Sequence, residues 1–189
     1  MWERTLHFLA AGVIALALAP LINAAAAQEA GWKTFTRAEL GLTIQRPEDL
    51  YELDPESPAE DVNGEVEWGP KDHGWSVIIT SQRLKPGQTL ASVVEDEKKR
   101  NPKAEMAPVK IGDPQAGGIE GVRVWALDDD SLSSFVLILD KTGTKLIAIE
   151  LAIALSEDDV GKNLESLRIS YNGTLALFER MLGTVRISK

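Results

Sequence analysis

The chain has 189 residues, 29 acidic against 20 basic side chains, a formal net charge of −9, 44% apolar residues and no cysteine. An acidic chain without basic clusters argues against nucleic acid and anionic membrane surfaces as partners. The absence of cysteine excludes a lipid-modified terminus, a disulfide framework and a thiolate zinc site.

The first stretch reads as an export signal. Arg4 precedes an uncharged run from Phe8 to Ile22, and Ala24 to Ala27 supply the small residues that a signal peptidase needs. Cleavage is expected after Ala27, making Gln28 the new terminus, with Ala26 as the neighbouring alternative. Pro20 interrupts the run, and the apolar stretch is shorter than the ~20 residues of a spanning helix, so no membrane anchor is expected after cleavage. Residues 28–189 are then expected to form one domain.

Trp32 to Thr36 opens that domain as a strand, followed by Leu40 to Pro47, where Leu42 and Ile44 alternate with polar neighbours. From Glu48 to Glu67 the chain is acidic and irregular, with Asp54-Pro55 and Ser57-Pro58 marking turns. Its carboxylates do not follow the spacing of a calcium loop. A hairpin comes next, from Val62–Trp68 to Trp75–Thr80, through the loop Gly69 to Gly74. Thr89 caps a helix whose inner face carries Leu90, Val93 and Val94, and Asn101 ends it before Pro102. Strands are expected over Ala104–Ile111 and Ile119–Leu127, with Asp128-Asp129-Asp130 leading out of the second.

Leu132–Leu139 and Lys145–Ile153 are almost continuously apolar, so this hairpin is covered on both faces and central in its sheet. Ser156 with Asp159 resembles a capping box for a helix carrying Val160, Leu164, Leu167 and Tyr171. Asn172-Gly173 is expected to stop it and Thr174 to cap a second helix with Leu175, Phe178 and Leu182 inside. Thr184–Ile187 is a last short strand. The fold class is α+β: a sandwich with a central, mostly antiparallel sheet and helices on both faces.

Chemistry-bearing motifs are few. Asp140-Lys141-Thr142-Gly143-Thr144 matches the phosphorylation signature of P-type ATPases, but its companion motifs are missing and its place between apolar arms makes it a hairpin turn. Beyond Ala27 the only histidine is His73. No nucleophile elbow, phosphate loop or His/Cys metal spacing occurs, so no catalytic residue, metal or cofactor is assigned. The remaining candidate is Trp68-Gly69-Pro70-Lys71-Asp72-His73-Gly74-Trp75. Trp68, His73 and Trp75 there form a candidate partner-binding cluster, together with acidic Asp54–Asp61. The competing reading makes both indoles core residues, since Trp68 continues Val66 and Trp75 leads into Val77 and Ile79 on one face.

The order of these elements, from Trp32/Phe35 through Leu40–Pro47, the Gly64–Trp68 and Trp75–Thr80 pair, the long hairpin and the closing Phe178–Leu182 and Thr184–Arg186, is similar to the PsbP-like family. That family spans a photosystem II extrinsic subunit, a Ran-binding import factor and secreted bacterial DcrB-type domains. The resemblance implies an α/β/α sandwich and a non-catalytic binding or assembly role with a protein partner, and it assigns no functional residue. The alternative function is a hydrolase-type enzyme assembled from dispersed residues around His73.

Overall fold

A computed structural model describes residues 31–53 and 65–188. Ten strands are described, β1 (Trp32–Arg37), β2 (Leu42–Pro47), β3 (Tyr51–Glu52), β4 (Val66–Gly69), β5 (Trp75–Arg83), β6 (Glu105–Ile111), β7 (Ile119–Leu127), β8 (Ser131–Leu139), β9 (Lys145–Ala154) and β10 (Arg186–Ile187). Three helices join them, α1 (Leu90–Arg100), α2 (Leu164–Ser170) and α3 (Asn172–Gly183). Every strand pairing is antiparallel. The large sheet runs β3-β4-β5-β9-β8-β7-β6, and a small one runs β1-β2-β10.

The long hairpin is central, with β9 in the middle of the large sheet and β8 beside it. Because side chains alternate across a strand, Ile147, Ile149, Leu151 and Ile153 of β9 face one side and Leu146, Ala148 and Glu150 the other. The first side is the main core. There the large sheet meets Leu42 and Ile44 of the small sheet, Leu167 of α2, and Phe178, Met181 and Leu182 of α3. On the second side Val93 of α1 packs on Val124, Leu137 and Leu146. Helices therefore lie on both faces as expected, and the small sheet shares one face with α2 and α3. The chain is an α+β sandwich.

Local chemistry explains the ends of the elements. Thr89 and Ser92 form a reciprocal capping box at the start of α1, at 3.2 and 2.9 Å. The turn between β8 and β9 is organised by the Asp140 carboxylate, which accepts from the amides of Thr144 and Lys145 at 2.8 Å and from the Thr142 hydroxyl at 2.7 Å. Partial burial pushes that carboxyl up, and these donors more than offset it and hold it below its ordinary value. Those bonds explain the five-residue signature as turn chemistry.

Two glycines let the closing segment of the chain dock. A β-carbon on Gly41 would lie 2.5 Å from the Ser188 carbonyl, and one on Gly112 would lie 2.6 Å from the Val185 carbonyl. Both have positive φ, so a side chain at either would meet backbone strain as well as a clash.

Two expectations are corrected. Residues 156–163 form turns and not a helix, because Gly161 takes a left-handed φ of 83° and breaks the periodicity. Asn163 caps α2 instead, its side chain accepting from the Ser166 amide at 2.9 Å. Asn172-Gly173 does not stop a helix but lies in the first turn of α3, and Thr174 lies inside it. The break falls one residue earlier, at Tyr171.

Candidate functional site

The 68–75 cluster divides on folding. Trp68 is 1% exposed, meets Phe35 edge-to-face with ring centroids 4.7 Å apart, and has the Arg46 guanidinium 5.2 Å from its ring centroid. It is a core residue and offers no face to a partner, which corrects its place in the candidate cluster. The cause is register: Trp68 stands opposite Val77, so its indole points to the covered side of the sheet. Trp75 is half-buried against the same core and pairs with Ile153. His73 stands exposed on the turn, with a φ of 54° and its amide donating to the Pro70 carbonyl at 3.1 Å. Beside it Lys71 lies 4.8 Å over the ring of Tyr51, itself 48% exposed. Asp54–Asp61 and the cleavage site at Ala27 and Gln28 lie outside the described residues.

A second surface is assembled only in three dimensions. Trp125 of β7 is half-buried at the end of the large sheet, and the Arg168 guanidinium of α2 lies 4.2 Å over its ring, within the range of a cation–π contact. Arg168 also donates to the Glu105 carboxylate of β6 at 2.9 Å. Arg123, two residues before the indole on β7, lies 5.9 Å from the ring centroid and forms a two-pronged ion pair with Glu179 of α3. Arginine is the cation suited to both tasks at once, since its flat guanidinium stacks and bonds in the same pose.

A groove of about 450 Å³ opens between this indole and the 156–163 turn. Leu127, Val160 and Leu164 supply its apolar lining, and Asp128, Asp129 and Lys103 its margin. The turn is held by Asp159, whose carboxylate accepts from Ser156 Oγ at 2.7 Å, Lys162 Nζ at 2.6 Å and the Tyr171 hydroxyl at 2.8 Å. The Lys162 bond first, then those from Ser156 and Tyr171, hold its carboxyl down at about 2. Because Tyr171 joins α2 to α3, this hub fixes the turn to the helices and turns Val160 outward, at 53% exposure. Leu127 extends the exposed apolar margin, at 37%.

Sequence reasoning missed this groove. It placed Val160 at helical spacing with Leu164, Leu167 and Tyr171, and no linear pattern ties residues 125 and 127 to 160, 164 and 168. The one available signal was Trp125 itself, two residues from Arg123 in a strand that ends in three aspartates.

Among the described residues no group of three or more His, Asp or Glu is placed to hold a metal ion, and no helix is long and apolar enough to cross a membrane.

An antiparallel sheet sandwiched between helices, with grooves at its edge, defines a broad class of α+β domains. Within it the architecture is similar to several solved structures. A mutant of the protein Mog1 matches with a TM-score of 0.50 and 13% identity over 82% of this chain and 95% of that one. A protein of Bacteroides thetaiotaomicron VPI-5482 matches with a TM-score of 0.51 and 15% identity over 83% of this chain and 48% of that one. Cyanobacterial PsbP from Synechocystis sp. PCC 6803 gives a TM-score of 0.49 and 14% identity over 90% of this chain and all of that one. No protein-family model and no curated protein sequence matches the chain. The likeness to Mog1 is one of fold, in line with the fold that the PsbP-like resemblance implies.

Proposed function

We propose that the chain is an exported, non-catalytic binding or accessory module that holds a protein partner at the Trp125 groove. The observation that carries this reading is the exposed apolar pair Leu127 and Val160, lining one groove with an indole stacked under Arg168. Apolar surface left in water gains about 25 cal/mol for each Å² covered, and Trp and Arg are the side chains that most often dominate binding energy. Rigid placement adds to this, since the Asp159 hub and the Arg168–Glu105 pair hold the groove walls before any partner arrives. Likeness of fold supports the scaffold alone, because unrelated functions share folds. Export rests on the signal-like run before Gln28.

The test is a crosslinked pull-down from the exported fraction with the native chain and with Val160→Asp. A partner recovered by the first and lost by the second, with both melting at the same temperature, supports the reading. A partner kept by Val160→Asp removes the groove from it. The turn at 70–74 is a second surface, favoured by exposed Tyr51 and His73 beside half-buried Trp75. Trp75→Ala in the same pull-down tests it.

A further inference from the structure

We infer that the Trp125 groove takes a cationic, apolar peptide segment of the partner, lysine- or arginine-bearing with aliphatic side chains between the charges. The inference rests on the accessory reading above and adds the chemistry of what is held.

Charge is the first argument. The Leu155 amide donates to the Asp130 carbonyl at 2.9 Å, which brings the β7–β8 tip against the start of the 156–163 turn. Asp128, Asp129 and Asp130 from one segment and Glu157 and Asp158 from the other are all exposed at this end of the molecule. None of the five takes part in an ion pair among the described residues. The nearby cations are already engaged, Lys162 with Asp159 at 2.6 Å and Arg168 with Glu105 at 2.9 Å. Lys103 alone lines the groove outside such a pair. The surplus is therefore negative locally as well as over the whole chain, and it repels anionic partners.

The apolar floor is the second argument. Exposed carboxylates attract weakly and are screened beyond ~8 Å at physiological salt, so they select and steer a partner without retaining it. Retention falls to Leu127, Val160 and Leu164, which line the same groove as the indole and the aspartates. A segment that alternates cationic and aliphatic side chains places one kind on each. A purely basic segment leaves the floor wet, and a purely apolar one leaves the aspartates unpaired.

The test uses the full chain as exported, labelled with ¹⁵N, and three capped hexapeptides: alternating Lys and Leu, the same with Ser for Leu, and the same with Glu for Lys. The Lys/Leu peptide is expected to shift the Trp125 indole N–H and the Leu127 and Val160 amides, and to bind about tenfold or more tighter than either control. Two surface variants, Asp128→Asn with Asp129→Asn, and Val160→Ser, are each expected to weaken it severalfold without moving the melting temperature. Equal binding of the Glu/Leu peptide, or shifts scattered over the acidic surface, would overturn the inference. A photocrosslinker at Val160 separates it from the reading beneath it. Capture of a partner through a segment with no Lys or Arg overturns the charge assignment and leaves the accessory role standing. Neither peptide shifts nor capture overturns both.

Discussion

Trp68 and Glu150 show how differently two residues of one sheet contribute. Trp68 is enclosed by Phe35 and Arg46, and its neighbours have no means of filling the volume of an indole. Trp68→Ala should therefore cost about 3–5 kcal/mol, visible as a lowered urea midpoint, whereas Trp75→Ala should cost clearly less. Equal losses would place Trp75 as deep as its neighbour. Glu150 sits on the opposite face of β9, between Ile78 and Phe135. Burial first of all, and then Glu65 and Glu97, push its carboxyl above the ordinary value, with a hydrogen bond from Ser133 opposing them. A raised carboxyl stabilises the fold while protonated, and that contribution disappears as pH climbs through the raised folded value. Glu150→Gln should match the native chain in acid and exceed it in stability at neutral pH. Urea unfolding of both at pH 4 and pH 7.5 checks this, and a gap that stays constant with pH would contradict it.

At the scale of elements, the β8–β9 hairpin carries the fold. It is flanked by β5 and β7 and covered by α1 on one side and by the small sheet, α2 and α3 on the other. Amides there open only when the whole sheet comes apart, while β3 and β10 are two-residue strands at a sheet edge. Hydrogen exchange should be slowest across Val136–Leu139 and Leu146–Leu151 and fast at β3 and β10. Protection as strong in β3 as in β9 would mean a different cooperative unit. The same hairpin shows why periodicity read the sheet well and the C-terminal helices less well. A strand buried on both faces announces itself as an apolar run. The 156–163 segment has helical spacing, yet one left-handed glycine and a carboxylate hub that holds three other residues override it.

For the molecule as a whole, export is the proposal that leaves the simplest trace. Amino-terminal sequencing of the secreted product should begin at Gln28, and an intact Met1 on membrane-bound material would reject it. The sheet-forming runs, the α1 cap, the position of the central hairpin and the α+β class were legible along the chain, because alternation, capping and apolar continuity act over a few neighbouring residues. The sequence also carried both readings of the 68–75 cluster. Packing chose between them, because which way an indole points depends on the register of β4 against β5 and on what covers that face. It alone assembled the Trp125 groove, since residues 105, 125, 127, 160 and 168 come from four separate segments, and it alone laid the short sheet over one face of the long one. A site of that kind leaves no pattern along the chain, because its contacts join residues that are distant in sequence and adjacent only after the sheet and helices have packed.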